Sequence, residues 1–276
     1  MYKGGLMDEA TIISDIHLGS GVCQAKPLSD FLHHIKQRTR KLILNGDLFE
    51  NMDFRRLRKR HWNVLSLLRK ASDDIEMIWL AGNHDGPADI ISHLLGVEIR
   101  REYIFESGGR RILCLHGDKF DRFLDDHPWL TRLGDAIYGA LQWLDKSHYF
   151  ARLAKSNSKH YLRCHEIIQN EAVHYARRRG CDAVCCGHTH QAMTSEVYYN
   201  CGCWTENPCT YLTVNHGTIA LHQYQPGESN ADRERAKICF EAGHSEVFNG
   251  QPQQQPDVQY MPRLSDSDQG NHRESA

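Results

Sequence analysis

Long apolar runs are what this chain most plainly lacks. Nowhere in its 276 residues do 18 or more apolar side chains follow one another, so no segment reads as a membrane-spanning helix. The N-terminus, MYKGGLMDEA, has none of the apolar core that a secretory signal needs, which predicts a cytoplasmic protein. Surplus charge is missing too: 33 Lys and Arg stand against 35 Asp and Glu. That balance carries no electrostatic footprint for nucleic acid, and no nucleic-acid partner is expected. There is no internal repeat. A disulfide framework is also absent from the pattern. The ten cysteines are scattered, several of them inside apolar runs (Cys114 in ILCL, Cys185 and Cys186 in AVCC), and read as buried free thiols. The stretch CGCWTENPC, with Cys201, Cys203 and Cys209, imitates a metal knuckle but lacks two well-spaced pairs.

What is present is a chain long enough to bury a substantial core, 40% hydrophobic, with histidine unusually frequent at 18 residues. Strand-like runs at 10–14, 41–45, 76–81, 110–115, 182–186, 210–214 and 218–224 alternate with helical spacing at 27–39 and 57–70, and this rhythm predicts an α/β fold. Residues 120–180 break the rhythm. Trp129, Leu130, Leu133, Ile137, Leu141 and Leu144 recur at helical intervals there and predict a helical insertion of two or three helices. These are either core helices or a lid, the second reading favoured by the surplus of aromatics (Phe123, Trp129, Tyr138, Trp143, Tyr149, Phe150). From 226 to 276 the composition turns to Gln, Pro, Ser and Asp and predicts a disordered tail after a domain over 1–225.

The polar residues that end the apolar runs carry the functional signal. IISDIHLGS stops in Asp15 and His17. KLILNGDLFE stops in Gly46 and Asp47, and MIWLAGNHDG in Gly82, Asn83, His84 and Asp85. RILCLHGD stops in His116, and AVCCGHTHQA in Gly187, His188 and His190. A glycine beside such a side chain lets the backbone turn at the strand's end. In open α/β sheets the carboxyl ends of strands are where ligands gather.

Carboxylates and imidazoles meeting there need a counter-charge, because buried alone they are costly. A pair of divalent cations supplies it. Asp47 is placed to bridge both ions, Asp15, His17 and His190 to complete one site, and Asn83, His116 and His188 the other. This mixed nitrogen and oxygen set suits Mn²⁺ first, or Fe or Zn²⁺, better than Ca²⁺. Singly, each motif has a bland reading as a strand end, a turn or a helix cap. Together and in this order they do not.

In that order the motifs resemble the signature of the calcineurin-like metallophosphoesterases over residues 12 to about 220. The resemblance implies a β-sandwich flanked by helices with a two-metal site at one edge. It also implies a catalytic His84 beside the metals, poised by Asp85. Two ions would hold the phosphate oxygens and activate water, and His84 would stabilise or protonate the leaving oxygen.

A narrower resemblance is to the UDP-2,3-diacylglucosamine pyrophosphatases of lipid A biosynthesis. It rests on HGDKFD followed by a helical insertion, and on YYNCGCWTENPCTYL with Asn200, Gly202, Trp204 and Glu206 in place. Two residues depart from that group: Cys203 stands where it usually has Asp, and His84 where its best-known members have Arg. The activity implied is hydrolysis of a phosphodiester or pyrophosphate bond, with a nucleotide-linked lipid as one substrate.

Arg152, Lys155, Lys159 and Arg163 in the insertion are placed to meet phosphate oxygens or to form an exposed helix face. The basic run FRRLRKRHW at 54–62 offers peripheral contact with the inner face of a membrane, or is a solvated helix face. The alternatives are another phosphoesterase, acting on nucleotide diesters or phosphoproteins, and a metal-free binding scaffold on the same fold.

Overall fold

The computed structural model describes residues 7–86, 92–93, 95–121 and 159–224, with side chains in the last segment from residue 165 onward. Two sheets follow from strands that are apolar on both faces, which must be covered on both sides. β1 (Ala10–Ile13), β2 (Lys41–Asn45) and β3 (Glu76–Leu80) run parallel to one another. The register aligns Ile12 with Ile43 and Ile43 with Ile78, making one row across three strands. The next row is Ile13, Leu44 and Trp79. Successive side chains alternate faces, so these rows point in opposite directions.

The Ile13–Leu44–Trp79 row packs under helices α1 (Ala25–Ile35) and α2 (Lys59–Ala71). Leu28, Phe31, Leu32 and Ile35 form the buried stripe of α1; Val64, Leu65, Leu68 and Ala71 form that of α2. The other row faces the second sheet. Ile12, Ile43, Ile78 and Leu80 share one buried cluster with Ile112, Cys114, Ala183 and Cys185. Each fully buried Leu or Ile contributes about 1.5–3 kcal/mol.

The second sheet is built on β6 (Arg110–Leu115) and β7 (Ala183–Cys186), which are also parallel, with Ile112 opposite Ala183 and Cys114 opposite Cys185. Its outer face, with Leu113 and Val184, is covered by Ile168, Ala172 and Ala176 of α3 (Lys159–Arg178). Six further strands complete the sheets: β4 (Ile99–Arg100), β5 (Glu102–Ser107), β8 (Met193–Thr194), β9 (Tyr198–Asn200), β10 (Cys209–Asn215) and β11 (Thr218–Tyr224). The six-stranded sheet runs β11-β10-β1-β2-β3-β4, and the five-stranded sheet β5-β6-β7-β9-β8. The architecture is thus α/β, as the strand and helix rhythm predicts, and it is the helix-flanked sandwich that the family resemblance implies.

Four strands were not anticipated: β4, β5, β8 and β9. Of the helical insertion expected at 120–180, α3 is described, and its buried Ile168, Ala172 and Ala176 make it a core helix where it meets the sheet. The aromatic-rich stretch 122–158, Arg152 and Lys155 included, lies outside the described residues, as does the tail over 226–276. Lys159 opens α3, and its side chain and that of Arg163 are likewise outside. The eight described cysteines are buried free thiols, and those of CGCWTENPC form no metal-capable group among the described residues.

Candidate metal centre

The ends of five strands, parallel within each sheet, deliver the polar residues: β1 and β2 lead to Asp15, His17 and Asp47, β3 to His84 and Asp85, β6 to His116, and β7 to His188 and His190. Main-chain bonds knit the loops together. His17 N–H donates to Asp47 O at 3.0 Å, and Gly187 N–H to His116 O at 3.0 Å. Across the two sheets, His188 N–H donates to Asp15 Oδ2 at 3.0 Å.

Three groups of donor atoms result: Asp15, His17 and His190; His17, Asp47 and His84; and Asp47, His116 and His188, the donors within each group lying within 4.8 Å of one another. Asp15 Oδ1 is 3.1 Å from His190 Nε2, and Asp47 Oδ2 is 3.2 Å from His116 Nε2 and 3.7 Å from His17 Nε2. Asp47 therefore stands between the two sets. Asn83 is exposed on the loop after β3, one residue before His84, whose N–H donates to Asp47 Oδ1 at 2.9 Å.

The donor set fits divalent metal ions. Asp15, Asp47 and His116 are almost fully buried, yet Asp15 Oδ1 and His116 Nε2 have no hydrogen-bond partner of acceptable geometry. They approach neighbouring donors closely without aligning with them, as atoms do that share a target. The charges agree with this. Burial pulls the His17 imidazole down, but the nearby Asp15 carboxylate and the bond to Glu50 win and push it up to about 10. Burial likewise opposes the His116 imidazole, which the Asp47 and Asp15 carboxylates push up to about 10. Burial would raise both carboxyls, but His190 and His116 hold Asp15, and His116 holds Asp47, well below the usual carboxylate range. Protons on imidazoles here stand where cations would serve.

Backbone conformation marks the same residues. Six described non-glycine residues have positive φ: Asp15, His17, Asp47, His188, His190 and His216, with values from 46° to 64°. All but His216 are candidate ligands. Left-handed backbone at an L residue costs roughly 1–2 kcal/mol, and such strain clusters at functional sites.

Two glycines show why nothing larger fits. A Cβ on Gly46, whose φ is +90°, would lie 2.2 Å from His116 Nδ1; one on Gly82 would lie 2.1 Å from Asp47 Oδ1. At Gly82 the need is close approach rather than the sharp turn expected of it.

The histidine rings are fixed from outside the cluster. His116 Nδ1 lies 2.9 Å from Asn45 O, His188 Nε2 3.1 Å from Asp121 Oδ2, and His17 Nδ1 2.9 Å from Glu50 Oε2. Asn45, Glu50 and Asp121 have no sequence signal of their own, although each lies inside or beside a strand-end motif. The relation expected between His84 and Asp85 takes another form. The Asp85 carboxylate accepts N–H groups of Asp47, Phe49 and Gly82 at 2.9–3.0 Å, so it braces the Asp47 loop. The His84 ring is held through Nδ1 by Glu50 O at 2.9 Å.

The stretch after β9 acts on the same loops. Asn200 donates to Gly187 O at 2.7 Å and accepts from Gly202 N–H, while Trp204 is fully buried against Phe31.

Among solved structures, the chain resembles a predicted phosphoesterase from Streptococcus pneumoniae (14% identity, 81% of this chain and 96% of that chain, TM-score 0.39). It also resembles vacuolar protein sorting 29 from Cryptosporidium parvum (13%, 79% and 97%, 0.40) and an archaeal phosphodiesterase (12%, 78% and 98%, 0.41). A comparison with curated proteins gives no match. Residues 10–192, which carry every strand-end motif above, match the family model described as calcineurin-like phosphoesterase, and the chain belongs to that family.

Proposed function

We propose that this protein is a dinuclear metal-dependent hydrolase of a phosphodiester or pyrophosphate bond, with Asp15, His17, Asp47, Asn83, His116, His188 and His190 as ligands. Mn²⁺ is the first choice of metal and Fe or Zn²⁺ the next. The observation that carries this reading is the position of Asp47, buried between one imidazole set and the other. Bound there, the ions would act as Lewis acids on the phosphoryl oxygens and activate water.

The chain's own residues supply the rest. Main-chain bonds lock the loops of Asp15, His17 and Asp47 together, so the donors are set before substrate arrives. His84 is half-buried on the rim, and with Nδ1 given to Glu50 O its Nε2 is the nitrogen left for substrate. From there it stabilises charge on the leaving oxygen or delivers a proton to it. Asp85 serves by fixing the main chain of Asp47 rather than by touching substrate.

The substrate class we propose is a nucleotide-linked lipid such as UDP-2,3-diacylglucosamine, met at a membrane surface. HGDKFD and the YYNCGCWTENP stretch support it. Because Asn200 and Trp204 have structural work beside the β7 loop, that stretch also suits a relative with a different substrate, and simple nucleotide diesters are the second reading. A screen with Mn²⁺ setting UDP-2,3-diacylglucosamine against nucleotide diesters and a chromogenic phosphodiester tests both. Preference for the lipid, abolished in Asp47→Ala, is the expected result. Equal rates on all of them would remove the lipid reading, and no turnover on any would remove the hydrolase.

A further inference from the structure

The outer nitrogen of His17 meets a side-chain carboxylate on the loop of the neighbouring strand β2, much as that of His188 meets Asp121. Glu50 Oε2 lies 2.9 Å from His17 Nδ1, and Glu50 is held in place by the strand pairing that carries His17. The two loops continue as a ladder, with Leu18 N–H donating to Leu48 O at 2.8 Å and Glu50 N–H to Leu18 O at 3.0 Å. An ionised carboxylate only accepts, so Nδ1 is the donor in this pair and Nε2 is the nitrogen left facing the cluster. That nitrogen is 3.3 Å from His190 Nε2 and 3.7 Å from Asp47 Oδ2.

We infer that Glu50 is a positioning residue that controls the affinity of one ion alone, the one held by Asp15, His17 and His190. The inference rests on the two-metal reading above. A carboxylate behind a ligating imidazole fixes its tautomer and ring angle and raises its basicity, and losing it typically costs 10–100-fold in metal affinity. The other set does not depend on Glu50. His116 is oriented by the main-chain carbonyl of Asn45, and His188 by Asp121. His84 is unaffected as well, because Glu50 holds it through its own main-chain carbonyl, which a side-chain substitution leaves in place.

The test is a titration of the full-length, metal-stripped chain with Mn²⁺, with free ion followed by electron paramagnetic resonance, in the parent, Glu50→Ala and Glu50→Gln. The parent should take up two ions. Glu50→Ala should weaken one of them 10–100-fold and leave the second unchanged. Glu50→Gln keeps an oxygen that accepts from Nδ1 and should recover most of the loss. Circular-dichroism melts of the stripped proteins should differ by only a few degrees. Two sites of unaltered affinity in Glu50→Ala would overturn the inference and spare the two-metal reading. So would equal loss at both sites with a collapsed melting temperature, or no recovery in Glu50→Gln. A parent that binds no Mn²⁺ would overturn both.

Discussion

Asp85 holds Asp47 by the main chain: its Oδ2 accepts the Asp47 N–H at 2.9 Å and the Gly82 N–H at 3.0 Å, while Oδ1 accepts from Phe49. An amide in its place offers one acceptor oxygen and turns an NH₂ group toward a donor. Asp85→Asn should therefore destabilise the fold by about 1–3 kcal/mol, the cost of leaving buried groups unpaired. Urea denaturation of the two proteins checks this, and an unchanged midpoint would speak against the bracing role.

The close approach at Gly82 gives a sharper substitution. Gly82→Ala places a methyl 2.1 Å from Asp47 Oδ1 and 2.6 Å from Asp47 N, so the carboxylate must move. We expect turnover to fall 100-fold or more, for a displacement of about 1 Å, with weakened Mn²⁺ uptake. Gly21→Ala, with nothing within 4 Å, is the control and should keep full activity.

How far the site could be read from the sequence follows from the same strands. Apolar runs such as Ile12-Ile13 and Leu42-Ile43-Leu44 are buried on both faces, so each signals a central strand, and the polar residue that ends it signals the site. β4, β5 and β8 are edge strands and carry no such run. In β5, EYIFES, Glu102 reaches α3 and Glu106 meets solvent while Tyr103 and Phe105 pack inward, so charged residues break up the apolar pattern. β9 is only three residues long. Glu50, Asn45 and Asp121 carry no such signal for another reason. Each orients a histidine far away in sequence, and one of the three does so with a carbonyl oxygen that any residue possesses.

Metal uptake should be coupled to protons. In the stripped protein the His17 and His116 imidazoles are pushed up to about 10, so at pH 7 both carry protons that a bound cation must displace. Their raised values stabilise the stripped fold fully below about pH 6.5, the ordinary histidine value, and that contribution is lost as pH rises through about 10. Calorimetric titration with Mn²⁺ at pH 7 in buffers of different ionisation enthalpy should report net proton release. Identical heats in all buffers would contradict it.

Glu102 links the second sheet to α3, accepting from Tyr175 at 2.7 Å with Lys119 and Arg179 beside it. Burial would raise its carboxyl, but Tyr175 and the two cations hold it below the usual value. Such a group stabilises the fold above its unfolded pKa and loses that contribution as pH falls through the folded one. Glu102→Gln should cost about 0.5–1 kcal/mol at pH 7, the scale of a surface ion pair, and the gap from the parent should close in acid. Chemical denaturation at pH 7 and pH 3 measures it, and a gap unchanged with pH would assign the loss to packing.

The most direct measurement is anomalous diffraction from crystals of the full chain grown with Mn²⁺. The account predicts two peaks, one among Asp15, His17 and His190 and one among His116 and His188, with Asp47 between them. No peak at Asp47, or a peak placed instead among the buried cysteines, would contradict it.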